Sequence, residues 1–278
     1  MKTIAFPDGE RAPVLGQGTW RMGENKRTHE EEAAALRLGI DLGMTLIDTA
    51  EMYGEGGAEE VVADAFTGQR DRVFVVTKVY PHHASRTELP KACQRSLKRL
   101  RIDAIDLYLL HWRGQIPLAE TVEALEKLRA QGKIRRWGVS NFNLEDMKEL
   151  LAIEDGSACA ANQVLYNLEN RGIEFDLLPW SQKKKMPIMA YSPVGHGRGL
   201  LNNATLKKIA KGHDATPAHI GLAWVLRQPG VIAIPKAANQ IHVRQNARSI
   251  EIQLTKKDLA ELDLEFAPPK SPQPLPML

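Results

Sequence analysis

The chain has 278 residues, 43% apolar and 26% charged, an ordinary balance for a globular fold with one large core. Its 37 basic and 34 acidic residues leave only +3, too little to argue for nucleic acid or an anionic membrane as partner. Two cysteines, Cys93 and Cys159, exclude a disulfide framework, and neither a signal-type apolar stretch nor a run of about 18 apolar residues occurs. A cytoplasmic monomer is expected.

In chain order, Ile4-Ala5-Phe6 and Ala12-Pro13-Val14 flank an Asp8-Gly9 turn and read as a hairpin able to plug a barrel floor. A short strand at Leu15-Gly16-Gln17-Gly18 follows. Thr28 to Leu42 reads as a helix: Thr28-His29-Glu30-Glu31 has the form of a capping box, and Ala34, Leu38 and Leu42 share one face. Apolar, β-branched runs then recur at Thr45–Asp48, Val73–Lys78, Ile105–His111, Trp137–Ser140, Asn162–Leu165, Pro187–Tyr191 and Val231–Pro235. Near-continuous hydrophobicity of this kind marks strands buried on both faces, as in a parallel sheet. Helical periodicity fills 57–66, 87–100, 118–130, 144–152, 173–185, 216–227 and Thr255 to Phe266. Eight strands alternating with helices at roughly 30-residue intervals predict an α/β fold, a (β/α)8 barrel, with no linker to divide residues 1–278. The tail from Ala267 to Leu278 carries five prolines and is expected to be irregular.

The informative feature is where polar residues fall in these strands. Asp48 closes one run, Lys78 the next and His111 the next; Ser140-Asn141, Gln163, Tyr191-Ser192 and Lys236 mark the others. In a parallel barrel all C-terminal strand ends share one rim, and that rim carries the active site. Singly, each is most simply a satisfied buried polar group. Seven at the same end of successive strands make a constellation.

Other site motifs are missing. There is no G-x-G-x-x-G and no Walker A; Gly54-Glu55-Gly56-Gly57 and Gly195-His196-Gly197-Arg198-Gly199 have the wrong spacing and read as loops. His29-Glu30 lacks a second histidine at position 33, and His82-His83 reads as a solvent-facing loop, so no metal site is expected.

Gly16-Gln17-Gly18-Thr19-Trp20, Asp48-Thr49-Ala50-Glu51-Met52-Tyr53-Gly54, Thr77-Lys78, Leu109-Leu110-His111-Trp112, Gly138-Val139-Ser140-Asn141, Asn162-Gln163, Tyr191-Ser192-Pro193 and Ile234-Pro235-Lys236 together resemble the aldo-keto reductase superfamily. The resemblance spans nearly the whole chain and points to bacterial members of the methylglyoxal reductase type. It implies reduction of a small-molecule carbonyl, with hydride from NADP(H), or alternatively NAD(H), bound across the C-terminal rim. The family's tetrad falls on Asp48, Tyr53, Lys78 and His111. Hydride addition leaves an alkoxide that needs a proton. Tyr53 would donate it, a Lys78 ammonium would lower the phenol's pKa, Asp48 would hold Lys78, and His111 would align the carbonyl oxygen.

The cofactor roles also come by resemblance. Tyr191 would carry the nicotinamide ring, and Ser140, Asn141 and Gln163 its carboxamide. Gly18, Thr19 and Trp20 would border it. Ser192, Pro193 and the loop to Leu200, with Lys236, would meet the phosphates, and His242, Gln245 and Asn246 would lie near the adenine end. His242 departs from the family's usual arginine, and Ala237 from a usual hydroxyl residue. Trp20, Tyr80, His111 and Trp112 would line the substrate pocket, and the short loop Arg113 to Pro117 and short tail predict an open mouth. Two other readings are a regulatory nucleotide-binding barrel without turnover and a Schiff-base aldolase using Lys78. Asp48 beside Lys78 argues against the second, since it would keep the amine protonated.

Overall fold

The computed structural model describes residues 1–195 and 199–278. Two antiparallel strands, β1 (Thr3–Ala5) and β2 (Arg11–Pro13), form the N-terminal hairpin. Eight parallel strands follow: β3 (Gln17–Gly18), β4 (Leu46–Asp48), β5 (Phe74–Val79), β6 (Leu107–Leu110), β7 (Trp137–Ser140), β8 (Asn162–Leu165), β9 (Ile188–Tyr191) and β10 (Val231–Ile234). They pair in sequence order. Contacts between Leu15 and Ala233 and between Gly18 and Lys236 join the first strand to the last. That seam needs glycine: a Cβ on Gly18 would stand 2.8 Å from the Ile234 carbonyl oxygen.

The connecting helices are α1 (His29–Asp41), α2 (Gly57–Ala65), α3 (Leu89–Leu100), α4 (Leu118–Ala130), α5 (Leu144–Ala152) and α6 (Leu177–Lys184). After β9 come α7 (Gly199–Asn202), α8 (Ala204–Gly212) and α9 (Pro217–Leu226), and after β10 come α10 (Gln240–Arg248) and α11 (Lys256–Glu265). This is the expected (β/α)8 barrel.

Strand geometry explains why polar strand ends converge. Side chains two apart share a face of a strand. Leu46, Phe74, Val76, Leu107, Leu109, Ala161, Met189 and Ile232 fill the barrel interior, whereas Ile47, Val75, Tyr108, Leu110 and Val139 pack outward under the helices. Extending the inner series by two reaches Asp48, Lys78, His111, Gln163 and Tyr191 in turn. One alternation thus builds an apolar core below and a polar mouth above.

The hairpin closes the other end. Phe6 stacks on Phe74 with ring centroids 5.2 Å apart, and Arg136 caps both rings while its Nε donates to Asp8 at 2.9 Å. The floor is plugged as expected.

One local expectation fails. Thr28 is the residue before α1, but its hydroxyl caps no helix N–H; it bonds the Asn25 carbonyl and the Glu32 carboxylate instead. The buried face of α1 carries Ala33, Leu36, Gly39 and Ile40, whereas Ala34 and Leu38 are half-buried and Leu42 is exposed, so the predicted Ala34–Leu38–Leu42 stripe lies at the edge of the buried face. A helix rich in alanine offers two apolar faces of similar strength, and packing against the neighbouring helices selects between them.

Candidate active site

A cavity of about 640 Å³ opens at the C-terminal ends of the strands. Asp48, Tyr53 and His111 line it, and Lys78 lies just beneath, fully buried. The lysine donates to Asp48 Oδ2 at 2.8 Å, to the Thr49 carbonyl at 2.8 Å and to the Tyr53 hydroxyl at 3.4 Å. Gln163 Nε2 donates to the other Asp48 oxygen at 2.7 Å. Four side chains from three strands and a loop, with the Thr49 carbonyl, thus form one hydrogen-bonded unit.

Burial opposes the lysine's charge, but Asp48 and then Tyr53 reverse the effect, and Lys78 titrates above its ordinary value. Burial also raises the Asp48 carboxyl, with Lys78 opposing. Tyr53 departs from expectation. Burial outweighs the lysine and holds the phenol above its ordinary value of 10. The reason is that enclosure by the barrel mouth penalises a phenolate more than one ammonium, itself committed to a carboxylate, can repay.

Burial, followed by the Lys78 charge, pushes His111 down to about 2, so its imidazole is neutral. Its Nδ1 is buried with no hydrogen-bond partner among the described residues. A neutral imidazole donates from one ring nitrogen and accepts at the other, and with Nδ1 enclosed, Nε2 is the nitrogen left for a ligand. The His111 ring lies edge-on to Tyr53, centroids 5.8 Å apart.

On the far side of the cavity, the Tyr191 hydroxyl donates to Asn141 Oδ1 at 2.9 Å, and Asn141 Nδ2 donates to the His111 carbonyl and to Ser140 Oγ. Asn141 holds this place with φ of 60°, a left-handed conformation that asparagine tolerates. Ser140 Oγ donates to the Gln163 carbonyl at 2.9 Å. Gly18, Thr19, Trp20, Trp112, Ser192, Pro193 and Lys236 complete the predicted residues that line the cavity.

Others do not. Tyr80 sits behind Trp112, edge-on to it at 6.0 Å, and does not line the cavity. Leu200 is buried in the outer core, and His242, Gln245 and Asn246 stand on α10 outside the cavity. His196, Gly197 and Arg198 of the predicted phosphate loop fall outside the described residues.

Residues outside the sequence motifs also contribute. Met277 and Leu278 line the cavity, so the tail returns to the mouth and narrows the opening that its shortness predicted. No local pattern in a proline-rich segment signals such a return. Arg21 and Met52 also line the cavity. Arg21 has φ of 64° and lies over the Trp20 ring at 4.5 Å; a cation next to the Gly-Thr-Trp run was the available clue.

Comparison with known proteins follows the same lines. The Aldo/keto reductase family profile matches residues 14–264. The chain belongs to this family. Methylglyoxal reductase YeaE of Escherichia coli (strain K12) is 53% identical over 281 residues, covering 100% of this chain and 99% of the relative. Glyoxal reductase of Bacillus subtilis (strain 168) is 32% identical, covering 94% and 91%. An aldo/keto reductase from Klebsiella pneumoniae, solved in complex with NADP and acetate, superposes with a TM-score of 0.97 at 53% identity over 100% of this chain and 99% of that one. In this aldo/keto reductase no helix is long and apolar enough to cross a membrane, and no group of metal-ligating side chains occurs among the described residues.

Proposed function

We propose that the protein reduces small aldehydes and ketones to alcohols with NADPH, Tyr53 supplying the proton. The observation that carries this reading is the Lys78 ammonium held between the Asp48 carboxylate and the Tyr53 hydroxyl beneath a ligand-sized cavity. Because Lys78 donates to the phenol oxygen, the phenol's own proton is free to point at a bound carbonyl. When that proton leaves, the phenolate faces an ammonium already in place. His111, neutral with Nε2–H available, donates to the same carbonyl oxygen and fixes its approach. The phenolate then regains a proton from water.

The cavity fits a nicotinamide dinucleotide, which when bound supplies the hydride. Tyr191 offers an aromatic face on one wall. Gln163 spends its Nε2 on Asp48, leaving Oε1 without a partner among the described residues to accept from a carboxamide. Arg21 and Lys236 line the same cavity with no carboxylate partner among the described residues, and these two cations would meet the phosphate groups. His242, Gln245 and Asn246 are assigned to the adenosine end, beyond the cavity.

The similarity to methylglyoxal reductase favours a 2-oxoaldehyde as substrate, and the wall formed by Trp20, Met52, Trp112 and Met277 also accepts larger apolar carbonyls. The two thiols are buried and free, which fits a cytosolic enzyme, and we take it to act as a monomer. A panel of carbonyls assayed for loss of NADPH and NADH absorbance tests the reading. Absence of turnover with every aldehyde, despite tight NADPH binding, would favour a regulatory barrel instead.

A further inference from the structure

Glu51 lies between Asp48 and Tyr53 in sequence, yet its side chain is 5% exposed and does not line the cavity. Its Oε1 accepts the Tyr80 backbone N–H at 2.8 Å and faces His83 Nδ1 at 3.0 Å; Oε2 stands 3.6 Å from the Arg95 guanidinium. Its own N–H donates to the Lys78 carbonyl at 3.2 Å. One carboxylate therefore ties the turn at 80–83 to the loop that carries Tyr53.

That turn is in contact with a third loop. The Tyr80 ring meets Trp112 edge-on at an interplanar angle of 88°. A Cβ on Gly114 would stand 2.6 Å from Pro81 Cβ, so the turn and the 112–114 segment pack with no room between them. On its other side the segment is held by Arg113, which pairs with Asp146 at 2.8 Å and Glu149 at 2.7 Å. Trp112, a cavity wall with its ring 4.9 Å from that of His111, is thus backed by Tyr80, whose main chain hangs on Glu51.

We propose that Glu51 is a positioning residue that determines specificity: through the Tyr80 turn it sets the place of Trp112, and with it the fit of carbonyls large enough to reach that wall. The inference rests on the reductase reading above. A small oxoaldehyde needs only Tyr53 and His111, whereas a ring-bearing aldehyde also draws contact and orientation from Trp112.

The test compares the full-length parent with Glu51→Gln, Glu51→Ala and Gly114→Ala. Each is assayed with NADPH and either methylglyoxal or 4-nitrobenzaldehyde, together with NADPH Kd and Tm. Glu51→Ala should raise KM for 4-nitrobenzaldehyde about tenfold and leave methylglyoxal kcat/KM and NADPH Kd within about twofold. Glu51→Gln keeps an oxygen for the Tyr80 N–H and should stay within about threefold of the parent on both aldehydes. Gly114→Ala presses the turn and segment apart without touching Glu51 and should shift the ratio of the two kcat/KM values at least about fivefold. It carries the test alone if Glu51→Ala does not fold. Equal losses on both aldehydes, or an unchanged ratio in folded Glu51→Ala or Gly114→Ala, for a parent that turns both over, would overturn the inference by itself. A parent that oxidises NADPH with neither aldehyde would overturn the reductase reading and this inference with it.

Discussion

Replacing Lys78 by methionine separates what the buried ion pair does for the fold from what it does for the reaction. The side chain is wholly buried and nearly isosteric with Met, so packing changes little. What is lost is the charge. Asp48, 3% exposed, would keep Gln163 as its remaining side-chain donor. Breaking such a pair from one side costs about 3–5 kcal/mol. At ~2.1 cal/mol/K per residue, 278 residues unfold with roughly 0.6 kcal/mol/K, so Tm should fall by roughly 5–9 °C. Adding Asp48→Asn removes the orphaned charge while still accepting from Gln163, and at least half of the lost Tm should return. Turnover should stay abolished in both variants. The pH dependence has a definite sign. An orphaned Asp48 titrates above its unfolded value, so its penalty is absent below about pH 4 and grows as pH rises. The Tm gap between Lys78→Met and the parent should therefore narrow on acidification. Calorimetry from pH 4 to 8 checks this. A double variant no more stable than Lys78→Met would refute the reasoning, because the deficit would then not come from an unpaired carboxylate.

Tyr53→Phe should lower kcat by about 10²–10⁴-fold with NADPH Kd nearly unchanged, measured by turnover and fluorescence titration; retention of half the parent kcat would remove Tyr53 as the acid. With His111 pushed down to about 2 and Tyr53 raised above 10, the rate should show no limb between pH 5 and 8 and should fall only in strong alkali, as the phenol loses its proton; a half-maximum near neutrality would contradict the protonation states. His242→Arg should tighten NADPH by about 1 kcal/mol and leave NADH unchanged, since a guanidinium fork matches a phosphate better than an imidazole; equal effects on both cofactors would place residue 242 away from the extra phosphate. Burial pushes both Cys93 and Cys159 up to about 12, so neither thiol should react with iodoacetamide in the folded protein, and Cys93→Ser with Cys159→Ser should retain activity in EDTA; rapid native-state labelling would show that a thiol is accessible.

The sequence by itself determined the barrel and the identity of its mouth. Both follow from local rules: strand runs alternate with helices, and side chains two apart share a face, so Asp48, Lys78, His111, Gln163 and Tyr191 arrive at one rim whatever the details of packing. Tyr53 was legible for the same reason, lying a short loop beyond Asp48. Tertiary structure alone decided the rest. Which face of α1 is buried depends on its neighbours, because its alanines make both faces acceptable. Tyr80 stands behind Trp112 because Glu51 and Gly114 draw two loops together, a contact no spacing encodes. The tail's return to the cavity is likewise a long-range event. Protonation is the clearest case: Tyr53 is raised and His111 held neutral by desolvation, a property of the atoms packed around a group and of nothing in its own stretch of chain.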